Sequence, residues 1–268
     1  MNLLIATPVG CVGPEMPAAA IRAGGFGLLN LTFLQSPGLA ARAARELAST
    51  AEARSGLILH GRLGEVEESA LNALGAADTI LLFPESEQEL RKMADRCRAT
   101  TRCLGLVATC VEDALLAERL GFDLVVAKGS ESGGIVGEET TFVLLQHLLE
   151  AVKVPLVAWG GVGPNVMAAC AAAGAAGVLL DWQLSLTREC GLPLGIRRRI
   201  AAMDGTESVV VSGPSGRQLR LFWRPGMTAR DELQVFSREL AERFEGIDSP
   251  AAWAAWCHRI AKIGRAHV

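Results

Sequence analysis

Several features that mark common protein classes are missing from this sequence. Its seven cysteines contain no C-x-x-C pair and are odd in number, so neither a disulfide framework nor a zinc knuckle is favoured, and buried thiols in a reducing compartment are expected. No run reaches the roughly eighteen apolar residues of a membrane span, and the first residues lack the basic segment of a signal peptide. We therefore expect a cytoplasmic protein that does not associate with membranes.

The charge, the histidine content and the glycine pattern of the sequence argue against three further classes of protein. The net charge is -3, the pI is near 5.9 and no basic stripe is present, so nucleic acid is not an expected partner. The four histidines do not cluster with Cys, Asp or Glu at metal-ligand spacing, so we predict no metal site. No G-x-G-x-x-G fingerprint follows a strand, so a separate dinucleotide-binding domain is not expected.

What the sequence does contain is a regular alternation of short apolar runs and helix-forming stretches. The runs are continuously apolar, as strands of a parallel sheet are when both of their faces are buried. They recur at the spacing of a strand plus a crossover helix, and eight such units occupy residues 1–203. Because eight units are the number that closes a barrel, we predict a (β/α)8 TIM barrel over residues 1–203.

A different pattern follows in residues 204–268. We predict a small C-terminal appendage there, made of a hairpin around Gly213-Pro214-Ser215-Gly216 and two helices. Trp253, Trp256 and Ile260 would lie on one face of the second helix. We expect that face to dock on the barrel rather than to form an exposed binding platform.

Two glycine-rich segments follow the sixth and seventh apolar runs. Residues 127–134 read A-K-G-S-E-S-G-G, and residues 159–163 read W-G-G-V-G. Glycines allow the backbone to approach a ligand closely, and Pro164 suits the first turn of a helix whose free N–H groups would favour a phosphate. Barrels of this type bind ligands at the loops that follow their strands, with phosphate often after strands seven and eight. The sequence therefore predicts a phosphate-bearing ligand.

Several segments resemble the nitronate monooxygenase (2-nitropropane dioxygenase) family, which includes flavin-dependent enoyl-ACP reductases. The resemblance covers roughly the first 190 residues and rests on residues 17–27, 129–134, 159–162 and 177–180. Residues 138–146 look most like members embedded in polyketide and polyunsaturated fatty acid synthases. The resemblance implies an FMN-binding barrel that oxidises nitronates with O2 or reduces enoyl thioesters. It also implies a small-molecule or acyl-thioester substrate, with synthase domains or an acyl carrier protein as partners.

The resemblance further implies which residues surround the flavin. They lie at the ends of the first, sixth, seventh and eighth strands: Ala6, Thr7, Pro8, Lys128, Gly129, Gly133, Gly134, Gly160, Gly161, Gly163, Asp181 and Trp182. Two positions depart from the family pattern. Ile135 stands where the family has a proton-transferring histidine, and Asp181-Trp182 stand where it has a Gly-Thr pair that completes the phosphate clamp.

Three side chains are candidates to replace the missing histidine. Lys128 ends strand six, Glu131 lies in the loop after it, and His60 follows strand three on the ligand face. The alternative for Lys128 is a solvated or salt-bridged lysine on the rim, and the alternative for His60 is a structural histidine in a loop. Glu138 and Glu139 are better explained as residues that favour a helix start.

Three functions remain open from the sequence. The first is an FMN-dependent oxidoreductase of the nitronate monooxygenase or enoyl reductase type, as a domain of a polyketide or fatty acid synthase. The second is a catalytically degenerate barrel that acts as a structural or docking module in such a synthase. The third is a phosphate-binding aldolase or isomerase that uses Lys128, because one fold hosts many functions.

Overall fold

Eight short, mostly apolar strands pair in parallel around a closed barrel. The structure is a computed structural model that describes residues 1–50, 53–213, 217–244, 251–252 and 255–260. The barrel strands are β1 (Asn2–Ala6), β2 (Phe26–Asn30), β3 (Ser55–His60), β4 (Ala77–Phe83), β5 (Thr101–Ala108), β6 (Leu124–Lys128), β8 (Leu156–Trp159) and β9 (Gly177–Leu180). Each strand pairs with the next, and β9 closes the barrel against β1. The predicted (β/α)8 barrel is confirmed.

Helices surround the barrel and connect its strands. They are α1 (Glu15–Arg22), α2 (Pro37–Thr50), α3 (Glu65–Leu74), α4 (Glu87–Arg98), α5 (Val111–Arg119), α6 (Thr141–Ala151), α7 (Pro164–Ala173) and α8 (Leu194–Ala201). After the eighth apolar run, Val178 to Leu180, the sequence pattern predicts a helix from about Leu184, and this prediction is wrong. A short 3-10 helix occupies Trp182–Leu184, and α8 begins only after Pro193, which is its N-cap residue. Proline favours an extended residue before it and suits a helix start, so the α-helix is delayed to this point.

A small antiparallel sheet lies beside the barrel. Its strands are β7 (Gly134–Val136), β10 (Ser208–Ser212) and β11 (Gln218–Phe222), in the order β10-β11-β7. The hairpin of β10 and β11 is therefore present as predicted, with residues 214–216 outside the described part. Strand β7 was not predicted, because the glycine-rich segment that contains it resembled a loop. It forms because Ile135 pairs with Leu219 across the sheet.

The C-terminal appendage packs against side chains that point into the barrel. Helix α9 (Ala229–Arg243) and the helical residues 251–252 and 255–260 follow the hairpin. Trp256 is fully buried, and its Nε1 donates a hydrogen bond of 2.9 Å to Ser237 Oγ. Trp256 and the half-buried Ile260 belong to the same hydrophobic cluster as the barrel-interior side chains, so their expected docking is confirmed. Trp253 lies outside the described residues.

Two hydrophobic clusters stabilise this arrangement. One fills the space between the strands and the surrounding helices. The other begins inside the barrel with residues such as Leu28, Val126 and Leu179, and it continues into Ile135 and Leu219 of the small sheet. The appendage therefore closes one end of the barrel. Within the described residues, the helices are all too short or too polar to cross a membrane.

Candidate active site at the end of the barrel

The candidate site lies at the carboxyl end of the barrel strands. Alternate residues of a barrel strand point inward, so the last inward residue of each strand contributes to the layer nearest the loops. Five such residues lie at or directly after strand ends: His60, Phe83, Lys128, Trp159 and Asp181. The structure thus brings together Lys128, His60 and Asp181 from the sequence-based candidates, and it adds two aromatic side chains.

Lys128 is the centre of this layer. Only 1% of the residue is exposed, and its Nζ donates hydrogen bonds of 2.7 Å to the carbonyl oxygens of Gly133 and Ile135. The same nitrogen lies 4.6 Å from the ring centroid of Trp159 and 5.9 Å from that of Phe83. These contacts tie the strand-six loop to the barrel interior and place the charge against aromatic faces, which attract cations.

Burial lowers the pKa of Lys128 to about 7, because the low-dielectric interior disfavours its charged form. The nearby carboxylate of Asp181 opposes that shift. Asp181 is itself only 3% exposed, and burial raises the pKa of its carboxyl, while Lys128 and the backbone N–H of Trp182 counteract the rise. The two buried groups therefore interact electrostatically without forming a direct salt bridge, and each favours the charged state of the other.

Trp159 ends β8, the strand that lies between those of Lys128 and Asp181. Its side chain is 1% exposed, and its indole Nε1 forms no hydrogen bond of normal geometry among the described residues. The indole N–H nevertheless faces the Asp181 carboxylate and lowers the pKa of that carboxyl. Asp181, Trp159 and Lys128 therefore constitute one buried polar cluster.

His60 lies beside this cluster, separated from Trp159 by Phe83. Its ring centroid is 5.7 Å from that of Phe33 and 6.4 Å from that of Phe83. Burial, together with the positive charges of Arg62 and Arg217, lowers its pKa to about 4. His60 is therefore neutral near pH 7, packed among aromatic rings, with Nδ1 4.0 Å from Glu85 Oε1. This environment is that of a structural histidine.

Glu131 points away from the barrel interior. Its Oε2 accepts hydrogen bonds of 2.8 Å from the backbone N–H of Thr141 and of 3.0 Å from the Thr141 hydroxyl. Thr141 is the first residue of α6, so Glu131 caps this helix and its charge complements the helix dipole. Glu139, just before α6, instead pairs with His147 at 2.8 Å.

The glycines of the strand-seven loop fall into two groups. Gly160 has φ +126°, and a Cβ there would lie 2.6 Å from Thr141 Oγ1 and 2.7 Å from Ser132 Oγ. Gly161 has φ +57° and lies beside the Glu131 side chain. By contrast, a Cβ at Gly163 would meet nothing within 4 Å, and no side chain caps α7 there. Only the α7 N-terminus at Gly163 therefore keeps the open geometry that a phosphate requires.

The remaining candidate flavin contacts are packed against the chain itself. Thr7 Oγ1 accepts a hydrogen bond of 2.9 Å from Asn30 N, and Ala6 and Pro8 beside it are buried. A Cβ at Gly129 would collide with Thr141, and one at Gly133 would lie 3.0 Å from the indole nitrogen of Trp182. Close packing within the protein accounts for the small residues at these two positions.

The residues present do not fit a flavin ring at the barrel end. Lys128, Trp159 and Asp181, at the strand ends where the resemblance implies the flavin, are each at most 3% exposed and leave no open cavity among them. Ile135, 2% exposed, packs on the same end and pairs with the hairpin strand β11. Cofactor sites are concave and largely pre-formed, whereas this end of the barrel is filled by its own side chains. No metal-binding group of three or more His, Cys, Asp or Glu occurs in the part of the chain that the structure describes.

Sequence reasoning did not identify Phe83 and Trp159 as site residues. Both end apolar runs, and an aromatic residue there is indistinguishable from an ordinary core residue. A usable signal was present at Trp159, because a large side chain at the end of a strand leaves little room for a ligand above it. Neither the segment that contains Lys128 nor the segment that contains Asp181 indicates by itself that the two side chains lie near each other.

Comparison with known proteins identifies the family of this chain. The sequence model of the nitronate monooxygenase family matches residues 83–243. A probable nitronate monooxygenase from Staphylococcus haemolyticus is 31% identical over 126 residues, which are 42% of this chain and 35% of that protein. An octahydroindene-carboxyl-CoA dehydrogenase from Rhodococcus jostii is 38% identical over 103 residues, 37% of this chain and 29% of that protein. The matched region thus spans about a third of the length of these relatives.

Solved structures share the fold at low sequence identity. FabK from Thermotoga maritima superposes with a TM-score of 0.75 at 22% identity, over 91% of this chain and 77% of FabK. A nitroalkane oxidase from Streptomyces ansochromogenes gives 0.73 at 20% identity, over 97% and 83% of the two chains. The enoyl reductase domain of MlnA from Bacillus amyloliquefaciens gives 0.67 at 12% identity, over 90% and 67%. The family match covers more than half of the described chain and joins the barrel to its appendage, so this chain belongs to the nitronate monooxygenase family.

Proposed function

We propose that this chain is a member of the family that has exchanged flavin-dependent catalysis for a structural role. In this role it would be a folded docking module of a larger polyketide or fatty acid synthase. The observation that supports the proposal best is the buried layer of Lys128, Trp159 and Asp181, which fills the barrel end. A ligand that entered this layer would have to displace buried side chains, among them Lys128, whose Nζ is held by the carbonyl oxygens of Gly133 and Ile135.

The side chains available for proton transfer agree with this role. Ile135 stands where the resemblance implies a histidine, and Ile135 is buried in the small sheet. Glu131 caps α6, and His60 is held neutral among aromatic rings. A Schiff-base reaction of Lys128 is disfavoured too, because its amine is enclosed and bonded to two carbonyl oxygens. The proposed link to a synthase rests on the resemblance of residues 138–146 to embedded members.

The second candidate is an FMN-dependent oxidoreductase that acts on nitronates or enoyl thioesters. It is favoured by family membership and by the uncapped α7 N-terminus at Gly163, which remains suited to a phosphate. On this alternative, Gly160, Gly161 and Gly163 would hold the phosphate. The barrel end would then have to rearrange to admit the ring, and bound flavin would supply the redox chemistry.

Flavin retention separates the two candidates. The purified chain is mixed with excess FMN, passed over a desalting column and scanned for the flavin absorbance band at about 450 nm. A relative that keeps the histidine and the Gly-Thr pair serves as the positive control. We expect the relative to retain FMN and this chain to elute without it. Stoichiometric FMN on this chain, with turnover of a nitronate or an enoyl thioester, would overturn the proposal and establish the second candidate.

A further inference from the structure

Helix α8 differs from the other helices around the barrel. Each of α1 to α7 buries at least one side chain, whereas α8 buries none. Ile196 and Ile200 are half-buried and belong to neither hydrophobic cluster, and Leu194 is 62% exposed. A helix in a layered fold normally buries an apolar stripe, so the described chain covers α8 less completely than it covers the other barrel helices.

The segment that leads into α8 is ordered and also presents apolar side chains. Ser185 and Cys190 are buried and anchor it, and Arg197 Nη2 donates a hydrogen bond of 2.6 Å to Leu186 O. Trp182, which precedes Ser185, is 36% exposed, and Leu186, between the two buried residues, is 46% exposed. The apolar side chains therefore lie on a surface that is already fixed before any partner binds, which limits the entropy lost on binding.

This surface is positively charged on a molecule of net charge -3. Residues 182–203 contain one acidic residue, Glu189, and four arginines, Arg188, Arg197, Arg198 and Arg199. Among the described residues none of these arginines forms an ion pair, and Arg188, Arg198 and Arg199 are exposed. Arg198 and Arg199 also suit the C-terminal turn of α8, but helix-dipole complementarity does not explain the exposed Trp182 and leucines around them.

We infer that this face, the α8 surface (Trp182, Leu186, Arg188, Leu194, Arg198 and Arg199), docks an acidic protein helix of a partner. The partner would place carboxylates against the arginines and aliphatic side chains against Trp182 and the two leucines. This inference rests on the proposed docking role and names the chemistry of the partner. Charge complementarity would set orientation and association rate, and the apolar centre would provide most of the affinity.

Two other occupants fit the surface less well. A symmetric dimer would bring the same patch of two copies together, so the arginines of one copy would face those of the other. A membrane-surface helix needs a broad apolar face, whereas the isoleucines of this eight-residue helix are already half covered. An acidic helix satisfies both the charge and the small apolar area.

The test uses a fluorescein-labelled amphipathic helical peptide built of Glu and Leu, with a Lys and Leu peptide as the control probe. Fluorescence anisotropy measures binding to the full chain and to two charge-matched double variants. The first, Arg198→Glu/Arg199→Glu, reverses charges on the α8 surface. The second, Arg45→Glu/Arg238→Glu, reverses two exposed arginines elsewhere. Far-UV circular dichroism confirms that both variants fold, and a third variant, Leu186→Ser/Leu194→Ser, probes the apolar centre.

We expect saturable binding of the acidic peptide that weakens as salt rises from about 50 to 300 mM, because screening reduces the attraction of exposed charges. The α8 charge variant should lose at least about tenfold in affinity, while the matched control loses less than about twofold. Equal loss in both variants, or preference for phosphatidylglycerol vesicles, or dimerisation through this face, would overturn the inference. Flavin retention is measured separately, so absence of peptide binding to a flavin-free chain refutes the docking surface alone.

Discussion

The Nζ of Lys128 lies 4.6 Å from the ring centroid of Trp159, at the end of the barrel where the family resemblance implies a flavin. Asp181 lies near enough for its charge and that of Lys128 to affect each other's pKa, so a cation, a carboxylate and an aromatic ring from three different strand ends share one buried layer. A bound ligand would ordinarily satisfy such inward-facing groups. Here the protein satisfies them itself, and the strand-six loop is fixed by the two carbonyl oxygens that Lys128 binds.

Removing Lys128 should destabilise the fold strongly. Lys128→Met leaves two buried loop carbonyl oxygens without their donor and removes the charge that favours ionised Asp181, so we expect a loss of about 2–5 kcal/mol in the free energy of unfolding. The exposed Lys153→Met control should change it by less than about 0.5 kcal/mol. Urea denaturation monitored by tryptophan fluorescence measures both.

The coupling between Lys128 and Asp181 is tested by a double-mutant cycle. Asp181→Asn in the Lys128→Met background removes a carboxyl that no longer has its partner, so the double variant should be more stable than the sum of the single losses by about 1 kcal/mol or more. Additive losses would mean that the two side chains do not interact.

The stability of the wild type should rise with pH relative to Lys128→Met between about pH 7 and 10.5. The pKa of Lys128 is about 7 in the folded protein against an ordinary value of 10.5. Between these values the unfolded chain holds a proton that the folded chain has released, so raising the pH favours folding. Unfolding free energies of both proteins at pH 7, 8.5 and 10 measure this slope, and equal slopes would contradict it.

The titration itself can be observed directly. The chain has four lysines, so side-chain NMR of lysine labelled at the ε-carbon gives few signals. We expect one signal to titrate near pH 7 and to be missing from Lys128→Met. If every lysine signal titrates above pH 9.5, then Lys128 is not buried as the structure places it.

Glu131 should behave as a helix cap. Glu131→Ala removes the acceptor for Thr141 N and its hydroxyl, and we expect the free energy of unfolding to fall by about 1 kcal/mol. Glu138→Ala, at an exposed position before the same helix, is the control and should change it by less than about 0.5 kcal/mol. Thermal and urea denaturation check both variants. A stability equal to wild type for Glu131→Ala would contradict the capping role.

Gly160 and Gly163 should respond differently to the same substitution. Gly160→Ala places a Cβ in a left-handed backbone region and within 2.7 Å of two hydroxyl oxygens, so a loss of about 2 kcal/mol or more is expected. Gly163→Ala has open space and an ordinary φ of -107°, so its cost should stay below about 1 kcal/mol. Urea denaturation of the two variants side by side tests this difference, and equal losses would mean that local packing does not require glycine at position 160.

The sequence by itself determined the barrel. Eight continuously apolar runs such as Leu104 to Ala108 can be buried on both faces only in a parallel sheet, and the helices between them leave closure as the favoured solution. The hairpin after Ser208 was readable for a similar reason, because its turn residues and apolar strands are neighbours in the chain. The local periodicity of apolar residues was therefore sufficient to predict the barrel and the hairpin.

Only the tertiary structure decided the state of the site. Lys128, Trp159 and Asp181 come from three strands, and nothing within any one segment states that their side chains meet. Strand β7 exists only because Ile135 finds Leu219 in the distant hairpin. Packing between segments that are distant in sequence determines which side chains are buried and which groups they contact. It therefore also determines whether the ligand site of the family is open or filled. The sequence therefore specified the barrel, and packing closed its end.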